Sequence, residues 1–326
     1  MPTVRAWCRV DLAGGTLDIW PLGLLHPGAR TVNLAIDLAA TAALAPGAGR
    51  YRVRQGEEVV EAATAAELAR SPAALAGVVA EALELPPFAA ELASDSPRGA
   101  GLGASSAMAV ALITAAEVWL GRPRSAPAAV AALARDLEAR LMGLPTGVQD
   151  HYPALLGGVL EIEPVPGGER VRALAADLDA LGESLLVVYS GVSHFSAGQN
   201  WQVVRRRLDG EPEMIGLFAG IAAVAAEVPA ALEAGDLPRV GELMTREWSY
   251  RRHLADGVST PELESLLALA ASLGAWGGKA CGGAGGGCVA LLCPPERRPA
   301  IAAALESAGG RVLPARPARG PLVVED

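Results

Sequence analysis

The sequence predicts an α+β chain folded as two domains, and three features point that way. Its 326 residues exceed what one hydrophobic core usually organises. Stretches of β type, one of them a hairpin turning at Gln55-Gly56, are mixed among stretches of helical type, the order of antiparallel pairs packed by helices. A polar, turn-rich run, "PGGERVRALAADLDALGE", is followed by a fresh apolar strand, "SLLVVYSG". One domain is therefore expected over 1–170 and a second over 171–326.

The elements follow in order. "TVRAWCRVDLAGG" reads as a strand ending in a glycine turn, and "RTVNLAIDLAATAAL" as a second, β-rich at its start. "RYRVRQGEEVVEA" alternates about its turn, "SPAALAGVVAEALEL" has helical spacing, and "FAAELASDSP" is a short strand. Helices are expected over 105–120 and 126–142, closed by Gly121 and Gly143. "GGVLEIEPV" returns as a strand. In the second half, two or three helices are expected between about 197 and 274, then the segment "KACGGAGGGCVALLCPP", a helix over about 295–308 and a last strand, "GRVLPAR".

Composition narrows the function. Hydrophobic residues make up 51% and charged ones 19%, a globular balance. No uninterrupted apolar run reaches the roughly 18 residues of a membrane span, and the N-terminus lacks the basic start and apolar block of a signal peptide. No membrane partner and a cytoplasmic location are the expectations. A net charge of -9 argues against a nucleic-acid partner. The one dense arginine run, "VVRRRLDG", reads as a solvated helix face. Cys8, Cys281, Cys288 and Cys293 form no C-x-x-C pair, which suits buried or idle thiols better than zinc.

The chemistry concentrates in glycine-rich segments. "SDSPRGAGLGASSAMAVALITAAE" sets Gly99, Gly101 and Gly103 at alternate positions before two serines and a helix. A loop ending in a helix N-terminus offers free backbone N–H groups to an anion, phosphate above all; an ordinary strand-to-helix turn would have the same look. Two familiar phosphate loops do not match. Around Lys279, "LGAWGGKACGG" has its first glycine out of register for a P-loop and Ala280 in place of the hydroxyl, and "GAGLGA" brings its third glycine one residue early for a dinucleotide fingerprint.

Four segments in order do match one family. "RVDLAGGTLDIWP", "PRGAGLGASSA", "EARLMGLPTGVQDHYPALLGG" and "GAWGGKACGGAGGGCVALL" resemble motifs of the GHMP kinases, the first in the form found in fucokinases and heptose-7-phosphate kinases. The resemblance spans most of the chain. It implies a ribosomal protein S5 domain 2-like N-terminal domain, a ferredoxin-like C-terminal domain and an active site between them. It further implies an ATP- and Mg²⁺-dependent kinase for the anomeric hydroxyl of a sugar or sugar phosphate, a small-molecule partner, with a homodimer left open. A small-metabolite kinase of mevalonate, phosphomevalonate or homoserine type is the alternative within the family, and a non-catalytic sugar sensor on the same fold the alternative outside enzymes.

The resemblance assigns residues. Pro97, Gly99, Gly101, Leu102, Gly103, Ser105 and Ser106 form the ATP loop. Ser105 meets Mg²⁺, with Ser106 in reserve, although either serine could be a plain N-cap. Glu138, in the pattern E-x-x-x-x-G-x-P-x-G with Gly143, Pro145 and Gly147, completes the metal site, with Asp136 as rival. Asp150 accepts the substrate hydroxyl proton and Arg9 pairs with it; a nearby guanidinium keeps such an aspartate ionised. Asp18, with Gly15 and Thr16, holds sugar hydroxyls. Here the chain departs from galactokinase, which has Glu-His-Thr-Asp where Gly15-Thr16-Leu17-Asp18 stands, and from the usual fucokinase form, which has Trp-Ser at Thr16-Leu17. Gly282, Gly283, Gly285 and Gly286 close over the site. His194, in "SGVSHFSAGQN", either touches substrate or caps the next helix. Lys279 is the only lysine in the chain, either a wanted ammonium or chance in an arginine-rich sequence.

Overall fold

The computed structural model of the chain describes residues 1–193 and 197–325. Its first sheet begins with β1 (Thr3–Ala13) and the sixteen-residue β2 (Thr31–Pro46), joined antiparallel. The hairpin β3 (Tyr51–Gln55) and β4 (Glu58–Ala62) turns at Gly56, whose φ of +62° suits glycine. Two helices, α1 (Ala65–Leu68) and α2 (Ala74–Ala82), lead to β5 (Phe88–Ser94), which pairs parallel with β3 and antiparallel with the second half of β2. The glycine loop follows and runs into α3 (Ala104–Trp119), then come α4 (Pro127–Met142), closed by left-handed Gly143, and the short α5 (His151–Leu156). The strand β6 (Val159–Val165) pairs with the first half of β2, and β7 (Gly168–Ala173) pairs with β6.

A second layer starts at α6 (Leu178–Ser184), capped by Asp177, and β8 (Leu185–Tyr189). Four helices follow: α7 (Ala197–Leu208), α8 (Pro212–Glu233), α9 (Leu237–Arg251) and α10 (Pro261–Ser272). The chain closes with β9 (Gly277–Ala280), β10 (Cys288–Leu292), α11 (Arg298–Ser307), β11 (Arg311–Leu313) and β12 (Val323–Glu325). Among the described residues the first sheet has eight strands, ordered β12-β1-β2-β5-β3-β4 with β6 and β7 branching from β2, and the second has four, ordered β11-β8-β10-β9.

Period-two alternation explains how the layers join. Along β8 and β10, Leu185, Val187, Cys288, Ala290 and Leu292 face a core shared with Val10, Leu12, Val32 and Leu34 of the first sheet and with α8 and α9. Their neighbours Leu186, Val188, Val289 and Leu291 face α10 and α11. Strand β10 is buried on both faces, so it reads as the continuous apolar run "CVALL". A further core lies under α2, α3 and α4 against the far half of β2.

Two expectations need correction. Four helices, not two or three, fill 197–272, because Gly210-Glu211-Pro212, Gly235-Asp236 and Gly257 punctuate the run, with Asp236 capping α9 through the Arg239 N–H. The polar run near the middle is not a plain linker: it holds β7, an edge strand turned at Gly167 (φ +89°), and α6. The division at 170/171 falls inside β7, and β12 returns the chain end to β1 of the first sheet. Helix α8 is long and apolar enough by length and composition to cross a membrane, although Glu227 and Pro229 interrupt its apolar run. Its Phe218, Ile221, Val224, Ala225 and Val228 are buried within the protein.

Candidate active site

Two glycine segments meet beside β1. The Arg9 N–H donates to the Leu102 carbonyl at 2.9 Å, and the Cys288 N–H donates to the Ala100 carbonyl at 2.9 Å, so the loop 97–103 lies between β1 and the turn joining β9 to β10. Gly99, Gly101 and Gly103 all have left-handed φ, +67°, +74° and +73°. A Cβ on Gly101 would come within 2.7 Å of the Cys281 carbonyl, and one on Gly287 within 2.7 Å of the Ala100 carbonyl. Gly101 and Gly287 are required by backbone meeting backbone, and a Cβ on Gly103 would meet the Asp150 side chain at 3.1 Å.

Ser105 and Ser106 sit in the first turn of α3, whose N-cap is Gly103 and which has no side-chain cap. The plain N-cap reading of the serines therefore fails. Both hydroxyls turn instead to Glu138 on α4: Ser105 donates to Oε1 at 2.9 Å and Ser106 to Oε2 at 2.7 Å. The His151 ring lies 2.8 Å from Oε2. Burial alone would raise the Glu138 carboxyl, but His151, Ser106 and Ser105 outweigh it and hold the group below the usual range. Asp136, two residues earlier, is exposed and pairs with Arg135, outside this cluster.

Arg9 and Asp150, 141 positions apart, are brought together. Arg9 Nε donates to Asp150 Oδ1 at 2.7 Å, Nη2 lies 2.5 Å from the same oxygen, and Nη1 donates to the Gly101 carbonyl at 2.6 Å. Burial works against the Arg9 charge, yet Asp150 and Asp11 hold its pKa above even the ordinary guanidinium value. Among the described residues, Asp150 Oδ2 is left with only Ser106 Oγ at 3.5 Å, too long to be a strong bond.

Asp18 is buried against the segment before Asp150. Its Oδ2 accepts from the Gln149 N–H at 2.8 Å, and any side chain on Gly147 would overlap the carboxylate. Among the described residues its Oδ1 is buried with no hydrogen-bond partner. Burial, reinforced by the Asp150 charge, raises the Asp18 carboxyl against the backbone N–H groups that lower it. Thr16 has φ +74°, costly for a β-branched residue. Arg251 of α9 holds it there, donating to Thr16 Oγ1 at 3.2 Å and to the Gly15 carbonyl at 2.7 Å.

Arg251 belongs to a four-charge cluster that sequence reading missed, apart from its interest in Lys279. Lys279 Nζ lies 2.5 Å from Asp11 Oδ2 and 3.1 Å from Glu247 Oε2, and Glu247 Oε1 accepts from Arg251 Nε at 2.9 Å. All four side chains are buried, and Asp11 Oδ1 also accepts from the Gly282 N–H at 2.8 Å. Lys279 is thus a wanted ammonium, not a chance residue. The spacing of Glu247 and Arg251, four apart on one helix, was the available signal, but such pairs are usually solvated.

One cavity of about 790 Å³ joins these parts. Its lining includes Thr16, Asp18, Gln149 and Asp150, the glycine loop with Ser105, Ser106 and Glu138, and the apolar Leu75, Ala76, Leu92 and Leu144. Gly282 and Gly283 line it; Gly285 and Gly286 do not, because they are buried in the turn behind, where the Gly285 N–H donates to the Val258 carbonyl. Gly15 also stays behind the wall, engaged through its carbonyl. His194 lies outside the described residues. The four cysteines are buried and free, and burial pushes the Cys8 and Cys281 thiols up to about 12, which leaves them unreactive.

Comparison with known proteins follows the same lines. Residues 61–158 match the family described as "GHMP kinases N terminal domain" and residues 230–311 the one described as "GHMP kinases C terminal". The chain is 25% identical over 232 residues to a D-glycero-alpha-D-manno-heptose 7-phosphate kinase of Campylobacter jejuni, covering 69% of this chain and 67% of that protein. It is 31% identical over 246 residues to a mevalonate kinase of Pyrococcus horikoshii, covering 72% and 68%. Among solved structures, a D-glycero-D-manno-heptose 1-phosphate kinase from Bacteriodes thetaiotaomicron superposes with a TM-score of 0.79 at 22% identity, covering 100% of this chain and 99% of that one. The mevalonate kinase of Methanococcus jannaschii gives 0.76 at 19%, covering 97% and 98%.

Proposed function

The chain belongs to the GHMP kinase family, and from that premise we propose that it phosphorylates the anomeric hydroxyl of a sugar or sugar phosphate. As a member it is a phosphotransferase with a hydroxyl acceptor, and ATP is the donor of the family; the sensor alternative falls with that. One observation carries the choice of acceptor. Among the described residues Asp18 Oδ1 is a buried acceptor without a partner, and Asp18 and Asp150 line the same cavity. A buried oxygen left unpaired costs about 1–3 kcal/mol, and a substrate hydroxyl answers it by donating. A substrate carboxylate has no donor to offer, and it would face two carboxylates.

The residues divide the work. The apolar part of the lining suits a flat base, and Leu141 and Met142, exposed hydrophobics of that lining, gain a partner when one binds. The glycine loop and the uncapped start of α3 present N–H groups to phosphate. Ser105, Ser106 and Glu138 are a hard-oxygen set at the phosphates and fit Mg²⁺, since a hydroxyl that donates to Glu138 keeps its lone pairs for a cation. Bound there, the ion would neutralise charge on the phosphates. Asp150 Oδ2, free of Arg9, accepts the hydroxyl proton, and Arg9 fixes the carboxylate while adding positive charge nearby. Phosphoryl transfer has a loose transition state, so positioning and charge supply most of the catalysis.

The test is ATP consumption with D-glycero-D-manno-heptose 7-phosphate, L-fucose and mevalonate. A sugar should be turned over, with phosphorus–proton coupling to the anomeric proton in the product. Turnover of mevalonate alone would establish the second reading, a small-metabolite kinase, which the 31% identity to an archaeal mevalonate kinase favours.

A further inference from the structure

The geometry points to Arg251 as a positioning residue for the acceptor: from α9 of the second layer it holds Thr16 in a backbone conformation that sets Asp18. The inference rests on the reading above, in which Asp18 meets the acceptor, and deepens it.

Two turns in succession carry the loop. The Leu17 N–H donates to the Gly14 carbonyl and the Ile19 N–H to the Thr16 carbonyl, both at 3.1 Å. Thr16 is the third residue of the first turn and the first of the second. Its φ of +74° stands where a turn with positive φ ordinarily places glycine. A β-branched residue persists there only when its surroundings impose it. Asp18 is the third residue of the second turn, so its direction follows from Thr16. It has little room to adapt, because Oδ2 is seated on the Gln149 N–H and a Cβ on Gly147 would overlap the carboxylate. Thr16 and Asp18 both line the cavity.

Arg251 imposes the conformation from behind the cavity wall. Nη1 donates to Thr16 Oγ1 at 3.2 Å and Nη2 to the Gly15 carbonyl at 2.7 Å. The guanidinium is itself fixed by Glu247, whose Oε1 accepts from Nε at 2.9 Å and from Nη2 at 2.5 Å, and Glu247 Oε2 lies 3.1 Å from Lys279 Nζ. A planar fork held in this way engages a carboxylate on one side and two loop atoms on the other, which a single ammonium cannot reproduce. The clamp belongs to the second layer and the loop to the first, so the seat of the acceptor depends on how the two layers pack.

The experiment uses steady-state kinetics of the whole chain with whichever of the three acceptors named above it turns over. Arg251→Lys keeps a charge for Glu247 and removes the fork. It should raise KM for the acceptor at least tenfold while KM for ATP stays within twofold and kcat within about threefold. Glycine takes a positive φ without help, so in a Thr16→Gly background the same change should raise acceptor KM less than threefold. Thr16→Val and Thr16→Gly form a second pair that leaves Arg251 in place. Both lack the hydroxyl, and only valine keeps the strain, so acceptor KM should be at least fivefold higher for valine. A lowered melting temperature with acceptor KM within twofold of wild type would make Arg251 a structural tie only and overturn the inference. An undiminished effect in the Thr16→Gly background, or equal KM for the valine and glycine variants, overturns it as well. In each of these cases the reading of the site stands, provided that Asp18→Asn raises acceptor KM. Unchanged acceptor KM in Asp18→Asn, or no turnover of any of the three acceptors, sinks the reading and the inference together.

Discussion

Asp150→Asn keeps the size and hydrogen bonding of the side chain and removes its charge and basicity. We expect kcat to fall about 10²–10⁴-fold, the scale of a positioned acid–base group, with kcat/KM falling alike and ATP affinity little changed; steady-state kinetics with both substrates varied checks this. Glu138→Gln should shift the Mg²⁺ titration to higher concentrations far more than it changes sugar affinity, and an unchanged titration would remove Glu138 from the metal site. Asp18 carries a different signature. Burial and the Asp150 charge raise its carboxyl, so the ionised form is penalised in the folded state above that raised value and relieved as pH falls through it. Asp18→Asn should therefore melt above wild type at neutral pH, by a margin that shrinks toward acid, while losing acceptor binding. Thermal melts across pH beside sugar titrations separate the two effects. A site that gives up stability for function behaves in this way.

The loop 97–103 shows how an element can be read correctly as glycine-rich and yet be glycine-rich for two reasons. Gly101 has a left-handed φ of +74°, and its missing Cβ leaves room for the Cys281 carbonyl. Gly101→Val should abolish nucleotide binding. It should also loosen the contact between the loop and the β9–β10 turn, so a stability loss of about 1–3 kcal/mol is expected from strain and overpacking. Nucleotide titration and denaturant unfolding of the same variant check both halves. In α3, Ser105 and Ser106 were legible as the residues after the loop. Their turn toward Glu138 was not, because it depends on α4 lying alongside α3. Glu138 stood out only through its pattern with Gly143, Pro145 and Gly147; nothing in the local spacing distinguishes it from exposed Asp136.

At the scale of the molecule, Lys279, Asp11, Glu247 and Arg251 tie α9 and β9 of the second layer to β1 and the Gly14–Thr16 loop of the first. Removing one partner of a buried ion cluster strands the others, at about 3–5 kcal/mol, so Lys279→Met should be among the most destabilising single changes at a site remote from the phosphates. Burial would raise Asp11 and Glu247, but Lys279, Arg9 and Arg251 lower Asp11, and Arg251 with Lys279 lowers Glu247, below the carboxylate range. Their contribution to stability is present above the ordinary value near about 4 and lost as pH falls through the lowered one. Lys279→Met weakens that lowering, and the acid-unfolding midpoint should move to higher pH, as denaturation followed by circular dichroism would report.

The sequence by itself determined the alternation of strands and helices, the four glycine-bearing segments in their order, and the family these imply, because strand period, turn chemistry and glycine spacing are properties of neighbours along the chain. It could name Arg9 and Asp150 only through resemblance, since 141 positions separate them. Only the tertiary structure decided which charges are paired and which polar atoms are not. Arg251 and Glu247 look in sequence like an ordinary helix pair, and Asp11 like a strand residue. Each acquires its meaning from a partner brought near by packing the two layers over a shared core. Pairing and burial are three-dimensional quantities, and no local pattern encodes them.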